Sequence, residues 1–211
     1  MTTAVTHRRG VPAALIALSF IPVVAGTARV AQLTGGAEVT PDNARFFAMP
    51  VPVLLHIVGA SVFCVLGAFQ FAAGFRAGRP AWHRSAGRLL VLCGLTAAVS
   101  GLWMALFLPE RARDGALLAA FRVAAGSIMV LSIALGFAAI RRRDFTRHRA
   151  WMLRGYAIGQ GAGTQALTLG SWMLIAGPPG QVTRALLHAV AWAINLAVAE
   201  WFVRNRTMEA R

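Results

Sequence analysis

The sequence has no lysine: all 21 of its basic residues are arginine. A guanidinium stays protonated under any condition a protein meets, so no titratable side-chain amine is available. Schiff-base chemistry on a lysine, of the pyridoxal-phosphate or retinal kind, is therefore excluded. Acidic residues are scarce as well, seven in all, which leaves a formal net charge of +14. Cysteine is limited to Cys64 and Cys93. Both lie deep in apolar runs, where they read as small buried hydrophobes and give no sign of a disulfide framework. No G-x-S-x-G, H-E-x-x-H, Walker or G-x-G-x-x-G context occurs, which argues against the familiar hydrolase, protease and nucleotide chemistries.

Apolar surface, by contrast, is abundant. Of the 211 residues, 57% belong to the AVILMFWYC set and only 13% are charged, with a mean hydropathy of +0.62. Those values rule out an ordinary soluble domain and a disordered chain alike. A charge of +14 would suit nucleic acid if it were gathered on one soluble face. Here the arginines alternate with six apolar stretches, each near the roughly 20 residues that cross about 30 Å of hydrocarbon. The stretches run from Val11 to Leu33, Val51 to Phe75, Ser85 to Leu108, Leu117 to Ile140, Trp151 to Ala176 and Val182 to Val203. Proline, glycine and charge occupy the joints: Pro41 and Pro50, Arg79 and Pro80, Pro109 to Gly115, Arg141 to Arg149, and Gly177 to Gly180. The expected fold class is all-α, a polytopic bundle of about six transmembrane helices. It forms one integral membrane domain over residues 1–211, with no nucleic-acid partner.

Arginine bias in the short loops sets the expected direction. With the N-terminus inside, the inner side receives fifteen of the 21 arginines: Arg8, Arg9, Arg76, Arg79, Arg84, Arg88, Arg141 to Arg143, Arg147, Arg149, Arg154, Arg204, Arg206 and Arg211. Both termini are then cytoplasmic, and the bilayer itself is the first partner. His7-Arg8-Arg9 followed by an apolar run and Ala28-Arg29-Val30-Ala31 has the outline of a signal peptide. The length of that run, and an arginine inside the presumed cleavage site, favour a retained helix.

Polar groups inside hydrocarbon are costly, roughly 2.5–3.5 kcal/mol for a central arginine on insertion scales, so each needs a reason. The histidines form the most informative set. His56 and His188 lie a few residues past the outer starts of the second and sixth spans, whereas His83 and His148 lie just before the inner starts of the third and fifth. At helical spacing, His56 aligns with Gly59, Phe63, Gly67, Gln70 and Gly74, and His83 with Gly87, Gly94 and Gly101. His148 aligns with Met152, Gly155, Gly159, Gly163 and Gly170, and His188 with Trp192, Asn195 and Ala199. One reading takes the four as axial ligands of two b-type haems, His56 with His188 and His83 with His148, glycines making room for the macrocycle. The layers would lie roughly 20–28 Å apart. The other reading has glycine faces allowing close helix packing, membrane histidines bonding their neighbours, and interfacial ones meeting headgroups.

Several other residues suit either reading. Arg84, Arg88, Arg122, Arg149 and Arg154 are candidates for haem propionates or anionic lipid. Gln165, flanked by Thr164 and Thr168, is expected to bond across helices, and Glu200 to pair with Arg204 four residues on. Zinc is a weaker candidate than haem, because its ligands must converge on one point and these histidines are split between two depths.

The segments LLHIVGASVFCVLGAFQF (54–71), WHRSAGRLL (82–90), SGLWMALF (100–107) and IRRRDFTRHRAWMLRGYAIGQGAGTQ (140–165) carry a resemblance to a bacterial family of polytopic membrane proteins, domain of unknown function 2306. The resemblance covers roughly residues 50–172. Its H-R-x-x-G-R and R-H-R-x-W-M-x-R blocks mark His83, Arg84, Gly87 and Arg88, then Arg147, His148, Arg149, Trp151, Met152 and Arg154. That family has no assigned reaction, so the resemblance implies kinship without an activity. The paired histidines are also similar in architecture to cytochrome b561 and ferric-reductase electron carriers, from which the chain departs by joining its second and sixth spans. The expectation is a haem-b transmembrane electron carrier with a quinone or other redox partner, a possible membrane oxidoreductase. Two alternatives stand beside it. One is a non-haem channel or transporter lined by Gln70, Gln165, Arg122 and Asn195, with no unwound helix pair visible in the sequence. The other is a lipid- or partner-binding protein docking through its arginine blocks.

Overall fold

A computed structural model describes residues 3–71, 78–108 and 114–208, and these are all-α. Residues 72–75 of the second expected span, 109–113 of the third joint, and Arg76 and Arg211 lie outside the described residues. The helices are α1 (Thr3–Thr34), α2 (Ala44–Ala48), α3 (Pro50–Ala68, extended by a 3-10 turn Phe69–Phe71), α4 (Pro80–Phe107), α5 (Gly115–Arg141), α6 (Phe145–Gly159), α7 (Gly161–Ala176) and α8 (Gln181–Met208). Five segments are long and apolar enough to cross a membrane: Gly10–Thr34, Pro50–Phe71, Pro80–Phe107, Gly115–Arg141 and Gln181–Asn205.

Local chemistry sets the boundaries. Proline opens α3 and α4 at Pro50 and Pro80, where its missing N–H leaves nothing unsatisfied and its fixed φ suits a first turn. Asp144 caps α6 by accepting the Arg147 N–H at 2.9 Å. Gly177, at φ +75°, stops α7 in a backbone conformation that favours glycine. The third span begins five residues earlier than the apolar run suggests, because Pro80 initiates a helix through the charged stretch His83 to Arg88.

The fifth expected span differs most. It starts at Phe145, inside the charged joint, and it is interrupted at Gln160, so two shorter helices cover its length. The apolar run predicts one continuous span here, and the structure divides it at Gln160. Gln160 N–H still bonds the Tyr156 carbonyl at 3.0 Å, and the Gln160 carbonyl takes the Gly163 N–H at 3.1 Å in a tighter turn beside the Thr164 N–H at 3.5 Å, so the break is local to Gln160.

Packing order explains why the interruption matters. Helices α1, α3, α4, α5, α8 and α7 follow one another as packed neighbours and close into a ring, and α6 packs inside it against α3, α4, α5 and α8. The outcome is visible along the sequence: Gly155, Tyr156, Ala157 and Ile158 of α6 are all buried, with no solvent- or lipid-facing side. Past Gln160 the chain leaves the centre, and α7 becomes a ring member between α1 and α8. The core gathers at α6, with Phe63, Cys64, Leu90, Ala98, Ala125, Met129, Ile133, Tyr156 and Ile158 in one cluster.

Candidate functional site

The interrupted span frees backbone groups in the interior, and each finds a partner. Asn195 Nδ2 donates to the Ala157 carbonyl at 3.1 Å, and Cys64 Sγ donates to the Gly159 carbonyl at 3.4 Å. Tyr156 Oη donates to the Cys64 carbonyl at 2.6 Å and accepts from Gln160 Nε2 at 2.7 Å. Ser19 of α1 reaches Gln160 Oε1 at 3.1 Å, and Thr164 donates to Asn195 Oδ1 at 2.8 Å. A break in hydrocarbon is tolerated only where protein groups satisfy it in this way. Sequence reasoning chose Gln165 for the cross-helix role. The structure gives that role to Gln160, and Gln165 Nε2, like Gln70 Nε2, is buried without a hydrogen bond.

Proline 22 supplies a second part of the joint. It lacks the N–H that would bond the Leu18 carbonyl within α1. That carbonyl faces Gly163 so closely that a Cβ there would collide with it. Glycine is required at 163 by approach, as an α1 carbonyl rests on α7 backbone.

The four histidines fall on α3, α4, α6 and α8. His56 Nδ1 is 2.8 Å from the Ala97 carbonyl of α4, His148 Nδ1 is 2.8 Å from the Gly136 carbonyl of α5, and His188 Nδ1 is 2.8 Å from the Arg184 carbonyl one turn back. A carbonyl only accepts, so in each ring Nδ1 carries a proton and donates, and in the neutral form of such a ring Nε2 is the nitrogen with the lone pair. His83 stands in the first turn of α4, half-buried, and its backbone N–H bonds the Arg79 carbonyl at 3.1 Å. The α4 and α6 that carry the second pair are packed neighbours, whereas α3 and α8 lie three steps apart round the ring, on opposite sides.

Expected glycine faces are largely taken up by helix packing. The Phe63 ring lies over both Gly94 and Gly159, Tyr156 covers Gly67, and His56 itself covers Gly101; Gly87 and Gly170 face open space. Porphyrin room cannot be read from the glycines as a set, because a neighbouring side chain or backbone group already occupies most of the described positions, Gly59, Gly155 and Gly163 included.

Charge collects at the end of the bundle away from the chain termini. Asp114, 3% exposed in its side chain, receives Arg122 Nη1 at 3.0 Å and Arg184 Nε at 2.9 Å, so one carboxylate ties α5 to α8. Burial pushes this carboxyl upward, but the Arg122 and Arg184 guanidiniums overrule it and hold it below the ordinary value of 3.8. Arg122 thus has a protein partner. Glu200 pairs across helices with Arg154, Arg154 Nη2 to Oε2 at 3.0 Å, in place of the expected Arg204, and Arg154 stacks on the Trp151 ring 4.7 Å from its centroid. Arg84, Arg88 and Arg149 are exposed. Among the described residues, no three His, Cys, Asp or Glu side chains converge as a metal site.

The family model described as a predicted membrane protein, DUF2306, matches residues 53–203. No curated protein and no solved structure matches the chain.

Proposed function

We propose, for a chain that belongs to the DUF2306 family of predicted membrane proteins, that it is a transmembrane electron carrier built around haem b. The observation that carries this reading is the placement of His56 and His188. They stand on opposite members of the helix ring, at the end of the bundle where α6 has given way to α7 and no longer fills the centre. Each has its Nδ1 proton fixed on a backbone carbonyl, the second-sphere bond that orients a ligating imidazole and leaves Nε2 for a metal. Arg122 and Arg184 lie near His188 and, with Asp114 offsetting one of their two charges, would leave one positive charge for a propionate. Haem would supply one-electron redox chemistry; the protein's part is ligation, burial and charge.

A second haem on His83 and His148 has less support, since α6 fills the middle of that half. The helix interruption favours a second class of function, a path for a small uncharged solute past Gln160 and Asn195, because transporters place their sites at such breaks. One experiment separates the classes. A reduced-minus-oxidised visible spectrum of the purified, haem-replete protein should show Soret and α bands, with one component removed by either His56→Ala or His188→Ala. A flat spectrum ends the carrier reading and leaves the solute path; loss of different components in the two variants breaks the pairing.

A further inference from the structure

Beside the interruption at Gln160 lies a cleft that shares only His56 with the proposed haem ligands. We infer that this cleft, between α1, α3 and the α6–α7 joint, binds the head group of a lipid-soluble quinone, an inference that rests on the carrier reading for its role and on the cleft alone for its binding. The cavity measures about 180 Å³. That is below the roughly 300–1,000 Å³ of pockets for drug-sized ligands and far too small for a macrocycle, but it suits a single six-membered ring with two oxygens, its tail left in lipid.

The walls are of two kinds. Pro22, Val23, Ile57 and Ala60 are apolar, whereas Ser19, Ser61 and Gln160 bring polar atoms to the edge. Ser19 and Gln160 bond each other at 3.1 Å, and Ser61 makes no side-chain hydrogen bond among the described residues. A mid-helix serine ordinarily bonds its own helix carbonyl; Ser19 and Ser100 do so here, at 2.8 and 2.5 Å. Ser61 does not, and it lines the cleft with a hydroxyl able to donate to a carbonyl oxygen. His56 lines the same cleft, so quinone and proposed haem ligand would adjoin through one imidazole.

Depth chooses between a water-soluble and a lipid-soluble occupant. Ser19 is nine residues from Gly10 and Ser61 is ten from Phe71, which puts the cleft about 13 Å or more along the helices from these span ends at 1.5 Å per residue. A molecule dissolved in the bilayer reaches that level sideways between helices, without desolvating charge.

The test uses the full chain in lipid nanodiscs, photolabelled with an azido-substituted ubiquinone and mapped by peptide mass spectrometry. Label should concentrate on peptides of α1, α3 and the α6–α7 joint and should be displaced by excess decylubiquinone. Ser61→Leu, which fills the cleft, should cut protected labelling at least about tenfold, the scale of one lost hydrogen bond with added crowding. Ala162→Leu should do the same from the opposite wall, which guards against one variant that fails to fold. Uniform labelling of all lipid-facing helices, or labelling that decylubiquinone does not displace, means that the cleft holds water only and overturns the inference. The spectrum is recorded on the same preparation: protected labelling without haem bands keeps the quinone site and removes the carrier, and the converse removes the site alone.

Discussion

The two ends of the bundle use arginine in opposite ways. At the end that holds the chain termini, Arg84, Arg88, Arg141, Arg142, Arg143, Arg147 and Arg149 are all exposed, and the nearby acid Asp144 serves as a helix cap. At the other end, Arg122 and Arg184 converge on a carboxylate that is 3% exposed. The first arrangement leaves these seven guanidiniums on the surface, with Arg154 at that end drawn onto Glu200 of α8; the second fastens two helices through a buried acid. Charge that looks alike in composition therefore divides into a positional and a structural share.

The contrast can be broken at its strongest point first. Asp114→Leu leaves two half-buried guanidiniums unpaired and should lower unfolding stability in detergent by about 2–4 kcal/mol, below the roughly 3–5 kcal/mol of a fully buried pair because the arginine side chains are 35% and 21% exposed. Its pH dependence follows from the depressed carboxyl. The folded-state pKa lies below 3.8, so the contribution is complete above that value and is lost only as the pH falls through the lowered one. Wild type and Asp114→Asn should thus stay apart at pH 5 and converge only well below 3.8; convergence near neutral pH would show that the clamp does not depend on the ionised carboxylate.

Between the two ends, the joint should respond at an intermediate level. Gly163→Ala forces α1 away from α7 and should cost about 1–3 kcal/mol by overpacking, whereas Gly87→Ala, which meets nothing within 4 Å, should be neutral or gain about 0.5–1 kcal/mol from helix propensity. Equal responses in thermal unfolding would mean that the close approach carries no energy. Arg142→Gln, exposed at the terminal end, should change stability by less than about 0.5 kcal/mol. A loss as large as that of Asp114→Leu would erase the distinction between the ends.

Much of this was legible in the residues. Apolar runs of the right length between arginine-rich joints gave the all-α membrane bundle, and five of the six expected spans are long apolar helices within a few residues of their expected bounds. The fifth was not, because hydropathy reports how apolar a segment is and not whether its hydrogen-bond ladder is continuous. Gln160 sits among glycines, where propensity does weaken, but only the arrival of Asn195, Cys64 and Ser19 from three other helices makes a break tolerable. Likewise Glu200 has Arg204 at ideal helical spacing, and the geometry prefers Arg154 because α6 runs beside α8 there. The histidine depths were readable; their shared tautomer was not, since the accepting carbonyls belong to distant residues for His56 and His148.

The bare carbonyl at Leu18 has a bearing on how the chain assembles. Proline 22 strips it of its partner from the moment α1 forms, yet the backbone it rests on, Gly163, emerges from the ribosome 145 residues later. In the folded chain that oxygen is covered by the α7 backbone at Gly163. That contact joins α1, whose residues precede the family match at residue 53, to α7 and completes the ring of packed helices.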